Sequence, residues 1–320
     1  MDKPLVSVKT ITYNHEKYIA RCIEGILNQK TDFDFEYIIG EDCSTDKTME
    51  IIQEYAVKYP DIIRVITSEK NVGATINDQR TDEACRGKYV AFCEGDDYWT
   101  DPYKLQKQVD FLEANPDYGL VHTNFSCQKG DKFLRGIRDG KNLPCGNVLS
   151  DLIRGNHIAT ASVCMRNDLL QTIRIGEPIR KHNWRMGDYP LWIESAARMK
   201  VHYLADDTIT YRIHGTSATH GLDVMGDFRF FSDRYEIKRH YIKKFGCEDL
   251  EPFINKMYHR ELLKFAIFLK DEDLREKCLQ YFKDSTVGES FPYLMLSQYP
   301  IFDPLYCFVY TTRKKMKMVV

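Results

Sequence analysis

The chain has 320 residues, 43% hydrophobic and 29% charged, with a net charge of −2. That balance belongs to a globular protein that can bury a core without disulfides, in one large domain or two moderate ones. It excludes a global basic field, so nucleic acid is not an expected partner and any substrate has to be chosen by a local site. The ten cysteines contain no C-x-x-C pair and fit no zinc spacing. Several, such as Cys93 and Cys164, sit in apolar runs and read as small buried hydrophobes of a reducing compartment. The N-terminus shows no signal-peptide core, and no window holds the ~18 uninterrupted apolar residues of a membrane span. The expectation is a cytoplasmic protein rather than an anchored Golgi-type enzyme or a polymer-extruding synthase.

Along the chain, Leu5–Ile11 is rich in β-branched residues and predicts a strand. Lys17–Gln29 places Tyr18, Ile19, Cys22, Ile23, Ile26 and Leu27 on one helical face. Strand Phe35–Gly40 follows, then helix Asp46–Tyr59 with Ser44 or Asp46 as N-cap, strand Ile63–Thr67, helix Thr75–Cys85 and strand Tyr89–Cys93. Strands separated by helices of this length imply right-handed crossovers and a mainly parallel sheet. Asp101-Pro102 opens a further helix, with Asp as N-cap and Pro at N1, which Asn115-Pro116 ends. Leu120–Phe125 is a strand, and 128–146 reads as a mobile loop. A second α/β section predicts strand Ala159–Met165, a helix from about Tyr189 to Arg198, and strands Val201–Leu204 and Thr208–Ile213. From about 223 the pattern is helical.

Three strand ends carry the chemistry. Glu94-Gly95-Asp96-Asp97, flanked by Phe92 and Tyr98-Trp99, puts three carboxylates in four residues at the end of the fourth strand. Such groups repel one another unless a cation lies between them, and a hard cation takes few protein carboxylates and leaves positions for phosphate oxygens. Ligands of open α/β sheets bind beyond the strand C-termini, which weighs against a merely solvated acidic turn. Glu41-Asp42-Cys43-Ser44-Thr45-Asp46 ends the second strand, where an Asp can accept from a nucleobase N–H or a ribose hydroxyl; helix capping is the plainer role. Thr12-Tyr13-Asn14 ends the first strand, where Tyr13 could stack on a base.

Thr10–Asn14, Glu41–Asp46, Asn71-Val72-Gly73 with Arg80, Ala84, Gly87, Lys88 and Tyr89, and Glu94–Asp97 together resemble family 2 glycosyltransferases, densely over residues 4 to about 125 and sparsely to 220. The resemblance implies the α/β GT-A nucleotide-diphospho-sugar transferase fold, a mainly parallel sheet flanked by helices with a C-terminal helical extension. It divides the chain into a catalytic domain over 1–220 (nucleotide-sugar binding in 1–118, acceptor and catalytic part in 119–220) and a helical region over 221–320. It implies that Tyr13 and Asp42 hold the uracil of a UDP-sugar with Thr12 nearby and Arg80 close to the nucleotide. Asp96 would contact the ribose or donor sugar, and Asp97 would ligate Mn²⁺ or Mg²⁺. Glu41 and Glu94 stand where the family commonly has Asp. Asp188, before a predicted helix, would be the catalytic base; Asp168 and the turn-like Asp206-Asp207 have weaker context. His214 would reach the diphosphate or metal, with His220 the weaker candidate.

The expected reaction is inverting transfer from a nucleotide diphosphate sugar to a saccharide or lipid-linked saccharide. A sugar-nucleotide-forming nucleotidyltransferase would call for a Gly-rich basic loop after the first strand, where Thr12-Tyr13-Asn14-His15-Glu16 stands instead. A non-catalytic binding module would be marked by a broken acidic motif. Phe291–Tyr310, apolar and aromatic, precedes Arg313, Lys314, Lys315 and Lys317; such a tail suits peripheral contact with the cytoplasmic face of the inner membrane, or packing on the protein's own core.

Overall fold

A computed structural model describes residues 3–137, 143–176, 179–182, 184–215 and 224–284. The chain divides into two compact units, the first ending at Ile213 and the second beginning at His214. In the first, β1 (Val6–Thr12), α1 (Ile19–Leu27), β2 (Phe35–Glu41), α2 (Thr48–Lys58), β3 (Ile63–Ile66), α3 (Ala74–Ala84) and β4 (Tyr89–Phe92) alternate as the sequence predicts. Then come β5 (Tyr98–Trp99), α4 (Lys104–Ala114), β6 (Tyr118–Lys129), β7 (Lys132–Leu134), α5 (Leu149–Arg154), β8 (Cys164–Arg166), α6 (Asn167–Gly176), α7 (Asp188–Arg198) and β9 (Lys200–Arg212).

The sheet runs β3-β2-β1-β4-β8-β6-β9-β5, with β7 beside β6. The β3-β2-β1-β4 half is wholly parallel, and β8 enters antiparallel between β4 and β6. The order of β1 to β4 reverses at β1, so the ends of β1, β2 and β4 open on a crevice of the kind that binds nucleotides. Val6 and Val8 of β1 and Ile19, Cys22, Ile23 and Ile26 of α1 are fully buried in one core with Tyr37, Ile39 and Tyr89. Each fully buried aliphatic side chain there contributes about 1.5–3 kcal/mol. α3 has no such face. Its buried side chains are Asn77, Thr81 and Asp82, and Asn77 Nδ2 donates to the Gly40 carbonyl at 2.7 Å. A Cβ at Gly40 would lie 2.4 Å from the Thr81 methyl, so only glycine lets α3 approach β2 this closely.

Several expectations are corrected. Residues 128–134 are not a loop, because β7 returns beside β6 through Gly130, whose φ of +55° suits a tight turn. In place of strand Ala159–Met165 there is a 3-10 turn, Thr160–Ser162, and then the short β8. The two late strands are one, β9, whose register with β6 shifts near Asn124. Asp206 falls in a bulge while Asp207 stays opposite Asn124, and the Asp207 carboxylate accepts from the Ser126 hydroxyl at 2.5 Å. Ser44 does not cap α2: its Oγ accepts from the Asn14 amide, and Asp46 receives the Thr48 amide one residue ahead of the cap. Asp101 accepts from the Tyr103 amide and pairs with Lys107, but α4 begins only at Lys104.

The second unit contains α8 (Val224–Phe245), α9 (Glu251–Leu269) and α10 (Glu272–Asp284). Leu262, Leu263, Ile267, Cys278 and Phe282 form its core with Phe228, Phe231, Tyr258 and Tyr281 packed against them. His220 and the basic apolar tail from Phe291 onward lie outside the described residues. Among the described residues no helix is long and apolar enough to cross a membrane.

Candidate active site

The loops after β1 and β2 are laced together. Asn14, in the left-handed region at φ +56°, accepts the Thr45 amide on its side-chain oxygen at 2.8 Å. The His15 amide donates to Thr48 Oγ1 and the Glu16 amide to Asp46. Thr12 is buried at the end of β1, with its hydroxyl 3.1 Å from His15 Nδ1. A Cβ on Gly95 would stand 2.6 Å from that hydroxyl, so the acidic motif packs directly on β1. Tyr13 is 41% exposed, which leaves its ring face open to a ligand.

Asp42 is buried. Its Oδ1 accepts the Val72 amide at 2.9 Å and its Oδ2 the Gly73 amide at 2.8 Å, which fastens the Asn71–Gly73 loop to β2. Arg80 Nη2 lies 3.7 Å from Asp42 and donates to Asn77 Oδ1, while its Nη1 donates to the Thr67 carbonyl. Arg80 Nε is buried without a hydrogen-bond partner. Glu41 is spent on structure, accepting from the Cys43 and Ser44 amides and the Thr67 hydroxyl.

At the end of β4 the carboxylates crowd. Burial, and next the Asp96 charge, push the Glu94 carboxyl up to about 8, with Asp188 and Asp78 adding to the effect. Burial, Asp96 and Glu94 hold Asp97 well above the usual carboxylate range, although the Arg212 amide donates to its Oδ1 at 2.8 Å. β5 follows at once and pairs with β9, which brings Arg212 alongside. The Arg212 guanidinium donates to the Asp96 carbonyl at 2.9 Å and lies over the rings of Tyr98 and Tyr18, at 4.3 and 5.4 Å from their centroids.

Asp188 is the first residue of α7, after Gly187 at the N-cap position. Its Oδ1 accepts the Tyr189 amide and its Oδ2 the Thr160 hydroxyl. Burial holds its carboxyl above the usual range, against those two donors. α7 is anchored by Tyr189 and Trp192, both fully buried, and the Trp192 ring meets Phe92 of β4 edge-on. His214 opens the second unit directly after Ile213, which the amide hydrogen bond to the Gln128 carbonyl ties to β6.

The crevice therefore gathers Thr12, Tyr13 and Asp42 at the ends of β1 and β2, Arg80 of α3 beside Asp42, Asp96 and Asp97 at the end of β4, and Asp188 within electrostatic reach of Glu94. Sequence reasoning passed over Arg212 and Thr160. The only signal for Arg212 was its place at a late strand end, and Thr160 had none. The residues fit a divalent cation. Glu94 Oε2 is buried without a hydrogen-bond partner, and Glu94 and Asp97 are pushed toward protonation first by burial and then by the neighbouring carboxylates, a setting that a cation would relieve. Among the described residues no three His, Cys, Asp or Glu side chains converge on one point. An ion would be held by one or two carboxylates and completed by substrate phosphate oxygens, as Mg²⁺ commonly is.

A wholly parallel half, a mixed half and carboxylates at the strand ends of one crevice are the features of a glycosyltransferase of the GT-A fold. The sequence model for Glycosyl transferase family 2 matches residues 7–166. The chain is 31% identical over 217 residues to an uncharacterized glycosyltransferase of Methanocaldococcus jannaschii, covering 67% of this chain and 72% of that protein. It is 35% identical over 154 residues to the putative teichuronic acid biosynthesis glycosyltransferase TuaG of Bacillus subtilis, covering 48% and 60%. A 47% identical match to uncharacterized mycobacterial proteins spans 35% of this chain and only about a third of theirs, 32%. Among solved structures, the mannosyltransferase PcManGT of Pyrobaculum calidifontis, in complex with GDP-Man and Mn²⁺, superposes at a TM-score of 0.57 with 16% identity, covering 100% of this chain and 86% of that one. S. aureus TarS 1-349 in complex with UDP-GlcNAc gives 0.54 with 17% identity, covering 91% and 79%. The chain belongs to glycosyl transferase family 2.

Proposed function

We propose that this glycosyltransferase moves a sugar from a nucleotide diphosphate sugar, with UDP as the nucleotide, to a hydroxyl of a saccharide or lipid-linked saccharide, and inverts the anomeric centre. The observation that carries the reading is one of packing and charge. Trp192 of α7 packs on Phe92 of β4 and Glu94 feels both Asp96 and Asp188, which supports an acidic cluster and a separate carboxylate at a helix start serving one crevice. Tyr13 stacks on the base, and Asp42 with Arg80 shapes its edge. Thr12 supports the loop, and Asp96 meets the ribose or donor sugar. Asp97 would hold Mn²⁺ or Mg²⁺ on the diphosphate side of the crevice. A bound divalent ion supplies Lewis-acid neutralisation of the departing nucleoside diphosphate. Arg212 adds a fixed positive charge beside it.

Asp188 takes the acceptor proton as the hydroxyl attacks the face opposite the leaving group, a single displacement that inverts configuration. A raised pKa suits this role, because a base is most effective when its pKa lies near the working pH. TuaG's part in teichuronic acid synthesis supports a cell-envelope polysaccharide as the setting. The ligands of TarS and PcManGT make UDP-GlcNAc and GDP-Man the first donors to try. A thermal-shift screen of UDP-, dTDP- and GDP-sugars with Mn²⁺ tests the donor assignment, since a ligand of the folded state must raise stability. A UDP-sugar raising Tm more than its GDP counterpart supports the reading; a preference for GDP-sugars overturns the choice of nucleotide.

A further inference from the structure

The carboxylate of Asp188 is oriented by a turn that lies far away in sequence. Thr160 Oγ1 donates to Asp188 Oδ2 at 3.0 Å across 28 residues, while Oδ1 is turned back onto the Tyr189 amide. Thr160 opens a tight 3-10 turn, closed by the Ser162 amide and hydroxyl on the Ala159 carbonyl and by the Val163 amide on the Thr160 carbonyl. The turn is fastened from below. Trp99 Nε1 donates to the Ala161 carbonyl at 3.0 Å, and Gln108 Nε2 to the Ser162 carbonyl at 2.8 Å.

The direction of the Gln108 amide is set by Lys104, whose ammonium can only donate and does so to Gln108 Oε1 at 2.8 Å. Lys104 also lies 4.1 Å over the Trp99 ring. Trp99, Lys104 and Gln108 are all buried, so water does not compete for these bonds. Trp99 stands two residues after Asp97, on the strand that leaves the acidic motif. One packed chain of groups therefore runs from the donor-side carboxylates through Trp99 and the turn to Thr160 and Asp188.

We infer that Thr160 is a positioning residue for Asp188, and that the Thr160–Ser162 turn, pinned by Trp99 and Gln108, ties the placement of the acceptor-side base to the strand carrying Asp97. The inference rests on the reading of Asp188 as the base. The Thr160 hydroxyl has one proton and gives it to Oδ2. That fixes the rotation of the carboxylate and leaves Oδ2 a second lone pair for the incoming acceptor proton. Without it only the Tyr189 amide on Oδ1 holds the carboxylate, Oδ2 can swing about that single bond, and a base misplaced by a fraction of an ångström loses rate rather than donor affinity.

The test measures nucleoside diphosphate release from UDP-N-acetylglucosamine or GDP-mannose, whichever the wild-type chain turns over, together with donor KM. Thr160→Val keeps the branched shape and removes the hydroxyl; it is expected to lower kcat between about 10- and 100-fold with donor KM unchanged. Thr160→Ser restores the donor and is expected to return kcat to within a few-fold of wild type. Adding Thr160→Val to Asp188→Asn is expected to cost nothing further. Wild-type kcat in Thr160→Val, with kcat lost in Asp188→Asn, overturns the inference and leaves the base reading standing. Full kcat in Asp188→Asn overturns the base reading itself. If Thr160→Val does not fold, Thr160→Ser decides: a kcat loss there with the same Tm as wild type contradicts the hydroxyl's role.

Discussion

Replacing Asp42 by Asn should weaken both the fold and nucleotide binding, because the same carboxylate serves both. Asp42 is buried and each oxygen holds one backbone amide, Val72 at 2.9 Å and Gly73 at 2.8 Å, with Arg80 3.7 Å away. Asparagine has one acceptor. Its NH₂ would face the second amide, donor against donor, so one bond is lost and the other becomes neutral. A hydrogen bond to a charged partner contributes about 1.5–3 kcal/mol and a neutral one about 1, giving a gross loss of about 3. Val72 and Gly73 are half-buried, so the freed amide turns partly to water, leaving a net destabilisation of about 2 kcal/mol. For a unit of this size that is about 4–8 °C in Tm. UDP affinity should fall about tenfold, the equivalent of 1.4 kcal/mol, as the Asn71–Gly73 loop loosens. Calorimetric unfolding and UDP titration of the same preparation check both. An unchanged Tm with UDP binding abolished would refute the clamp and leave Asp42 a direct contact to the base alone.

Asp188→Asn should lower kcat by about 10²–10⁴ with donor affinity nearly unchanged, the usual contribution of a general base; reduced donor affinity with kcat preserved would move Asp188 into the nucleotide site. Asp97→Asn keeps an acceptor for the Arg212 amide and should abolish turnover while circular dichroism stays native; activity that survives EDTA in the wild type would contradict a metal role. Glu94 ionises near 4.5 when unfolded but holds its proton to about 8 in the metal-free fold. Between those values the folded state binds more protons, so this contribution to stability is complete below about 4.5 and is lost as pH rises through about 8. In EDTA, wild-type Tm should fall from pH 6 to 9 more steeply than that of Glu94→Gln, and Mn²⁺ with UDP should reduce the difference; parallel curves would contradict it.

The first half of the fold was legible because its signals are local. Ile19, Cys22, Ile23 and Ile26 repeat at helical spacing and are all buried. The second half was not. Asp206 and Asp207 interrupt an apolar alternation and look like a turn, whereas β9 bulges at Asp206 and pairs Asp207 with Ser126. Gly130 marks a hairpin only once β6 is known to extend to it. The same division runs through the site. Tyr13, Asp42, Asp96 and Asp97 stand at strand ends that periodicity locates. Arg212 reaches Asp96 through the β5–β9 pairing, and Thr160 reaches Asp188 across 28 residues; long-range pairing leaves no spacing to read. The Asp42 clamp on Val72 and Gly73 is of the same kind, 30 and 31 residues distant.

The proposed reaction cleaves a nucleotide diphosphate sugar by transferring the sugar to a hydroxyl, in a crevice where Asp97 and Asp188 have separate tasks. ³¹P NMR of the protein with UDP-, dTDP- and GDP-sugars, Mn²⁺ and an oligosaccharide mixture tests it most directly. Nucleoside diphosphate should accumulate from one donor, with its release suppressed by EDTA and lost in Asp97→Asn. Binding without any phosphorus product, or nucleoside triphosphate formed only when pyrophosphate is added, would contradict it.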